Sequence, residues 1–255
     1  MDTKQTHFCF KGIKINGIDW AGIQRLVEEI IAAKGRAYFC MTDAGNVIMA
    51  QKDAQLASAI NQSDLSIADG TPLAWCGKLT GWKRIQRISG VDIFQKLLHH
   101  TNFKHFLLGD TVAMHNRIIK KAKEIKPDVQ IESFSPPFKP KFSKTDNQLI
   151  MAKIHIKQPD IIWVSFGGGK QEKWMFENLA SLNHGIMIGV GAAFKYYIGE
   201  LTIPHPTIQR LGLQWTTRLS KTPKRWFTEG PFKRTILFLI NFPFEFLKVK
   251  YLNRS

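Results

Sequence analysis

The chain has 255 residues, 44% of them hydrophobic and 22% charged, which is globular composition and excludes a disordered chain. Its 36 Lys and Arg outnumber its 20 Asp and Glu, and the net charge of +16 calls for an anionic partner: nucleic acid, a lipid headgroup surface or a phosphorylated substrate. Three cysteines without a C-x-x-C pair argue against a disulfide framework or a zinc site, and neither a secretory signal nor an apolar run of about eighteen residues is legible, so a cytoplasmic protein without a spanning helix is expected.

In chain order, a helical pattern over Trp20–Ala33 precedes the apolar run Ala37–Thr42, which reads as a buried strand. A helix over Asn46–Asn61 follows, then Ser63-Asp-Leu-Ser-Ile-Ala-Asp-Gly70, in which a short apolar stretch delivers Asp69 to a turn before a helix start at Thr71-Pro72. Helices are expected over Asp92–His100, Val112–Ile125, Lys144–Ile156 and Gln171–Leu179. Between them, His105–Gly109, Val129–Phe134, Asp160–Gly167 and Ile186–Val190 read as buried strands. Near-continuous apolar strands alternating with helices predict an α/β fold, a Rossmann-like, mostly parallel sheet covered on both faces. In such sheets ligands bind at the carboxyl ends of the strands.

Several strand ends carry chemistry. In Phe166-Gly-Gly-Gly-Lys-Gln-Glu172, bare backbone amides precede a helix start, which suits a phosphate or carboxylate, with Lys170 adding a point charge. The same segment also reads as a tight turn that needs Gly167, Gly168 and Gly169 for backbone reasons. It is neither a Walker A loop nor G-x-G-x-x-G. Asp69 suits a helix-cap acid or, at a strand end facing a cleft, a general base. Thr42-Asp43, Ser89 to Asp92 and Leu108-Gly109-Asp110 are further strand-to-helix turns, and Asp92 is most simply an N-cap. The eight histidines form no H-x-x-x-H or H-E-x-x-H pattern, and no G-x-S-x-G elbow is present, which argues against a zinc hydrolase and an α/β-hydrolase.

The charge is uneven. From Pro204 to Ser255 there are ten basic and two acidic residues, half of the net charge in 52 residues, interleaved with nine aromatics. That pattern fits a headgroup-level membrane contact or single-stranded nucleic acid. Ile236–Leu247 is too short to span a bilayer, and Pro243 would kink it. It reads either as a terminal helix docked by its Phe residues or as an interfacial anchor, with Lys233, Arg234, Lys248 and Lys250 facing anionic lipid. On the anchor reading, removing residues 231–255 leaves a soluble fold that no longer binds anionic vesicles. The division expected is an α/β core over 1–203 and a basic appendage over 204–255.

Three blocks resemble the WecG/TagA/CpsF family of bacterial glycosyltransferases, glycosyltransferase family 26, over about Phe10 to Phe227. The first runs from Ala50-Gln-Lys-Asp53 through Asn61-Gln-Ser-Asp-Leu-Ser-Ile-Ala-Asp-Gly-Thr-Pro-Leu-Ala-Trp75 to Arg87-Ile-Ser-Gly-Val-Asp92. The second is Val164-Ser-Phe-Gly-Gly-Gly-Lys-Gln-Glu-Lys-Trp174. The third is Ile188-Gly-Val-Gly-Ala-Ala-Phe194 with Gly199, Arg210-Leu-Gly-Leu-Gln-Trp215, Arg218-Leu219 and Pro223-Lys-Arg225. The resemblance implies an inverting, metal-independent transferase without a cofactor. Such an enzyme moves a sugar of the N-acetylmannosamine, hexose or uronic acid type from a UDP-sugar to a polyprenyl-diphosphate-linked saccharide. It implies Asp69 as base, and Arg210, Arg218 and Arg225 as residues that complete the active site.

The substrate-binding candidates at the strand ends are Thr42, Asp43, Gly70, Asp92, Gly109, Gly167, Gly168, Gly169, Lys170, Gln171, Glu172 and Gly191; of these the Gly167–Gly169 turn with Lys170 and Gln171 is expected to hold the UDP, and Gly109 and Gly191 to shape its pocket. The enzyme would work in the cytoplasm at the inner face of the cell membrane, against its anionic surface, and a homo-oligomer through the core is compatible with this. Four positions depart from the family pattern: Gly169 for Pro, Lys195 for Asp, Gln214 for Glu and Asp43 for Asn. They fit either a more acidic donor, such as a uronate, or neutral surface drift. The competing reading is a basic nucleotide- or nucleic-acid-binding α/β protein. No RNP, KH or helix-turn-helix pattern supports nucleic acid, and an NAD(P) enzyme lacks its glycine fingerprint.

Overall fold

The computed structural model describes residues 7–205, 207–208 and 231–252. A hairpin of β1 (His7–Phe10) and β2 (Ile13–Asn16) opens the described chain, followed by α1 (Trp20–Ala32) and β3 (Arg36–Thr42). Then come α2 (Ala44–Ala50), α3 (Ala54–Asn61), β4 (Leu65–Ala68), α4 (Thr71–Leu79) and α5 (Gly90–His100). The next elements are β5 (Lys104–Gly109), α6 (Val112–Ile125), β6 (Gln130–Phe134), α7 (Lys144–Lys157) and β7 (Ile161–Ser165). The core closes with α8 (Lys170–Asn178), β8 (Gly185–Gly189) and α9 (Ala193–Tyr197), and a last helix, α10, spans Pro231–Leu252.

Six strands form one all-parallel sheet in the order β4-β3-β8-β7-β5-β6. Helices cover both faces, which is why β3, β7 and β8 are apolar along nearly their whole length. One face carries α2, α3, α4, α7, α8 and α10, through Val47, Leu56, Leu73, Ile150, Trp174 and Phe238. The other carries α1, α5, α6 and α9, through Ile23, Phe94, Ile118 and Phe194. Phe94 is the hub of the second face, with its ring edge-on to Trp163 at 4.9 Å and to Tyr197 at 5.2 Å.

The expected Asn46–Asn61 helix is two helices. Asp53 accepts the Leu56 amide at 3.0 Å and starts α3 as its N-cap, and the turn at Gln51-Lys52 separates the two. Ser89 with Asp92 and Ser143 with Asp146 close capping boxes on α5 and α7. The expectation of a buried strand over Val129–Phe134 needs correction. β6 is the sheet edge, and its polar residues Gln130, Glu132 and Ser133 are exposed there.

α10 has two unlike faces. Phe238 is buried and stacks on Phe10 of the hairpin at 5.2 Å, and Phe242 packs beside both. The Lys11 amide donates to Glu245, and Lys11 Nζ donates to Asn241 at 2.9 Å. The outer face exposes Ile236, Leu239, Ile240, Phe244 and Leu247. The helix continues through Pro243. Among the described residues no helix is long and apolar enough to cross a membrane.

Candidate functional site

The chain leaving β3 runs to the face of α2, whereas the chain leaving its neighbour β8 runs to the face of α9. Adjacent strands that send their connections to opposite faces open a crevice at their carboxyl ends, where open α/β sheets bind ligands. Most of the residues marked from sequence converge on that edge.

On the β3 side, the Thr42 hydroxyl is buried and bonded to Ser66 Oγ at 2.8 Å, so it links β3 to β4. Asp43 caps α2 by accepting the Asn46 amide at 2.8 Å. The Asp69 amide donates to the Thr42 carbonyl at 2.9 Å, which fixes Asp69 just past the end of β4. Gly70 follows with φ of 149°, a backbone an L side chain rarely adopts, and turns the chain into α4.

Asp69 lines a cleft of about 80 Å³ on the α5/α9 side, together with Arg87, Asp92, Val190, Tyr196 and Pro204. Asp92 accepts from the Ser89 amide and hydroxyl at 3.1 and 2.6 Å, and from Arg87 Nη2 at 3.3 Å. The N-cap of α5 is therefore Ser89, which corrects the expectation for Asp92: Asp92 is the third helical residue, whose carboxylate reaches back to close the capping box and steadies Arg87 in the cleft. Arg87, Tyr196 and Pro204 were not singled out from sequence, although Arg87 stands inside a quoted block. Its position before a capping box is the signal that would have found it.

On the β7/β8 side, Gly167 and Gly169 take φ of 90° and 82°. Glu172 is fully buried, and its Oε2 accepts the Gly169 amide at 2.6 Å. Its Oε1 accepts from Asn46 Nδ2 at 3.2 Å and from Gln171 Nε2 at 3.0 Å. Gln171 Oε1 in turn accepts the Gly191 amide at 3.1 Å, and Ser165 Oγ donates to the Gly191 carbonyl at 2.8 Å. Gln171 and Glu172 thus face inward and tie together three turns, those after β3, β7 and β8. Burial, with a smaller push from Asp43, raises the Glu172 carboxyl to about 6. Asn46 is the member of this network that sequence reasoning missed.

Two other candidates sit differently. The Lys170 ammonium lies over Phe142 at 4.0 Å and Phe166 at 5.2 Å, and it donates to the Lys139 carbonyl, so it is turned toward the 138–142 loop. Burial lowers its pKa. At Gly109, φ is 95° and a Cβ would lie 2.5 Å from the Ser165 carbonyl oxygen, so glycine is required where the ends of β5 and β7 approach. Arg210, Arg218 and Arg225 lie outside the described residues.

A second cavity, of about 700 Å³, opens on the opposite face of the sheet, between α2, α3, α8, α10 and the loop before α7. Gly168, Gly169 and Lys170 form part of its wall.

With this geometry in view, the chain matches the Glycosyl transferase WecG/TagA/CpsF family over residues 8–251. The chain belongs to that family. Its relatives include the N-acetylglucosaminyldiphosphoundecaprenol N-acetyl-beta-D-mannosaminyltransferase of Bacillus subtilis (strain 168), 27% identical over 178 residues, covering 69% of this chain and 68% of the relative. The enzyme of the same name from Bacillus spizizenii (strain ATCC 23059 / NRRL B-14472 / W23) is 24% identical over 180 residues, with 69% and 68% covered. The chain is therefore a glycosyltransferase with a Rossmann-like core, as the sequence blocks imply.

Proposed function

We propose that this glycosyltransferase moves a sugar from a UDP-sugar to a saccharide held on a polyprenyl diphosphate, with inversion and without a bound metal. The observation that carries the reading is the position of Asp69: a carboxylate at the carboxyl end of the sheet, in a cleft shared with Arg87, beside the crevice between β3 and β8. The names of the relatives supply the acceptor class.

In the proposed step the acceptor hydroxyl gives its proton to Asp69 and attacks the anomeric carbon. The bond from that carbon to the β-phosphate oxygen breaks on the opposite side, and UDP leaves with the electron pair. General-base help of this kind contributes about 10²–10⁴ in rate. The exposed Gly167 and Gly168 of the turn before α8 receive the diphosphate, the Gly169 amide being held by Glu172, with Gly109 and Gly191 shaping the pocket. Arg210, Arg218 and Arg225 would neutralise the leaving group. The outer face of α10, apolar with Lys233, Arg234, Lys248 and Lys250 on the same helix, would rest on the anionic inner surface of the cell membrane. Lys195 is exposed on α9, the helix that follows β8, where a cation would favour an acidic donor sugar.

The test is transfer from a panel of UDP-sugars to a short polyprenyl-diphospho-N-acetylglucosamine analogue in EDTA, with wild type and Asp69→Asn. The variant should retain UDP binding and lose at least about two orders of magnitude in turnover. Near-wild-type turnover removes Asp69 as base, and activity only with added metal removes the metal-independent mechanism.

A further inference from the structure

The 700 Å³ cavity is larger than the Asp69 cleft and lies on the other face of the sheet. Its size is that of a pocket for a drug-sized molecule, roughly 300–1,000 Å³. Its walls are of two kinds. Ile48, Leu56, Phe142, Trp174 and Leu237 make an apolar interior, and Lys52, Lys141, Lys170, Lys173, Lys233 and Arg234 stand around it. Six cations face only two acids, Asp53 and Glu177, and both acids are engaged. Asp53 binds Lys173 at 2.7 Å, and Glu177 accepts from Gln55 at 2.6 Å. Lys52, Lys141 and Lys233 are exposed, and no carboxylate among the described residues pairs with them. An apolar cavity with surplus positive charge at its rim is complementary to an amphiphile that has an anionic head and a hydrocarbon tail.

Two continuities narrow the occupant. Lys233, Arg234 and Leu237 come from α10, the helix whose outer face exposes Ile236, Leu239, Ile240 and Phe244. The same helix thus carries an exposed apolar face and part of the cavity wall. At the inner end, Gly168 and Gly169 belong both to the cavity wall and to the turn at the carboxyl edge of the sheet. We propose that this cavity holds the diphosphate and the first isoprene units of the acceptor lipid, with the hydrocarbon against Leu56, Phe142, Trp174 and Leu237 and the diphosphate on Lys52, Lys141 and Lys233. This rests on the transferase reading for the identity of the lipid. The cavity's chemistry is testable without it.

The experiment is binding of farnesyl diphosphate to the full-length protein by calorimetry, with farnesol and inorganic pyrophosphate as comparisons. Two variants act on different walls: Lys52→Glu with Lys141→Glu reverses charge at the rim, and Leu237→Trp fills the interior. Lys120→Glu with Lys123→Glu, on the exposed side of α6, matches the first variant's charge change away from the cavity. Wild type should bind farnesyl diphosphate at least tenfold more tightly than either comparison compound. Each cavity variant should weaken that binding at least tenfold, and the α6 variant should match wild type. Pyrophosphate binding as tight as farnesyl diphosphate would reduce the cavity to a plain anion site and overturn the proposal, as would unchanged affinity in both cavity variants. Loss of transfer in the UDP-sugar assay with normal farnesyl diphosphate binding would overturn the transferase reading and leave the cavity assignment standing.

Discussion

Glu172→Gln tests whether the buried carboxylate pins the turns of the site. Glu172 has no solvent exposure, and its two oxygens accept from Gly169, Asn46 and Gln171. Burial raises its pKa from 4.5 to about 6. Below pH 4.5 the group is protonated in both the folded and unfolded chain and contributes no slope. Between pH 4.5 and 6 the unfolded chain loses the proton while the folded chain keeps it, so stability falls as pH rises. Above pH 6 the full penalty applies, roughly 2 kcal/mol.

Glutamine does not titrate and lacks this slope. It also offers one acceptor oxygen instead of two, so at least one of the three donors loses its partner, at a cost of about 1–3 kcal/mol. The wild type's advantage over the variant should therefore be largest near pH 4.5 and shrink by roughly 2 kcal/mol by pH 7. For a chain of this size that is a change of about 4–8 °C in the gap between the two melting temperatures. Thermal melts of both proteins from pH 4 to 7.5 measure it. A gap that stays constant across the range, or widens with pH, refutes the assignment of a raised, buried carboxyl at this position.

Gly109→Ala should destabilise by roughly 3 kcal/mol, because it forces a left-handed backbone on a side chain and drives a Cβ into the Ser165 carbonyl. A thermal melt within 3 °C of wild type would show that the ends of β5 and β7 can part freely. Ile240→Glu with Phe244→Glu alters two residues that are 61% and 75% exposed, so folding should change by less than about 1 kcal/mol while sedimentation with anionic vesicles falls at least tenfold. Unchanged vesicle binding would remove the outer face of α10 from the membrane contact. These substitutions are a better probe than removing residues 231–255. Without α10, Phe10 loses its partners Phe238 and Phe242 and is uncovered, so the truncated chain is not expected to keep the core intact.

The local sequence determined the layers of this protein. Ala37–Thr42, Asp160–Gly167 and Ile186–Val190 read as strands covered on both faces, because every second residue of a half-exposed strand would otherwise be polar. The capping acids and hydroxyls set most helix starts, since a cap acts within three residues of its own chain. The family blocks named the reaction class, and the tail's charge was visible by counting. What the local pattern did not carry was which strand lies beside which. The neighbours β3 and β8 are joined by about 140 residues, and their opposite exits, which make the crevice, exist only once the sheet is assembled.

Tertiary structure alone also decided the directions of side chains. From sequence, Gln171 and Glu172 looked like ligand-facing polar residues at a helix start. In the fold they are buried, because Asn46 and Gly191, far apart in the chain, arrive where hydrogen bonds can satisfy them. Lys170 turns to an aromatic cluster assembled from two loops. The tail's two readings, a docked helix and a membrane anchor, concern opposite faces of one helix. Phe238 and Phe242 meet Phe10 from the far end of the chain, and the apolar residues left outside are the ones no part of the described structure covers. A residue's type and its neighbours in sequence specify local geometry. Its solvent and its partners are set by segments distant in sequence, and those were available only in the assembled fold.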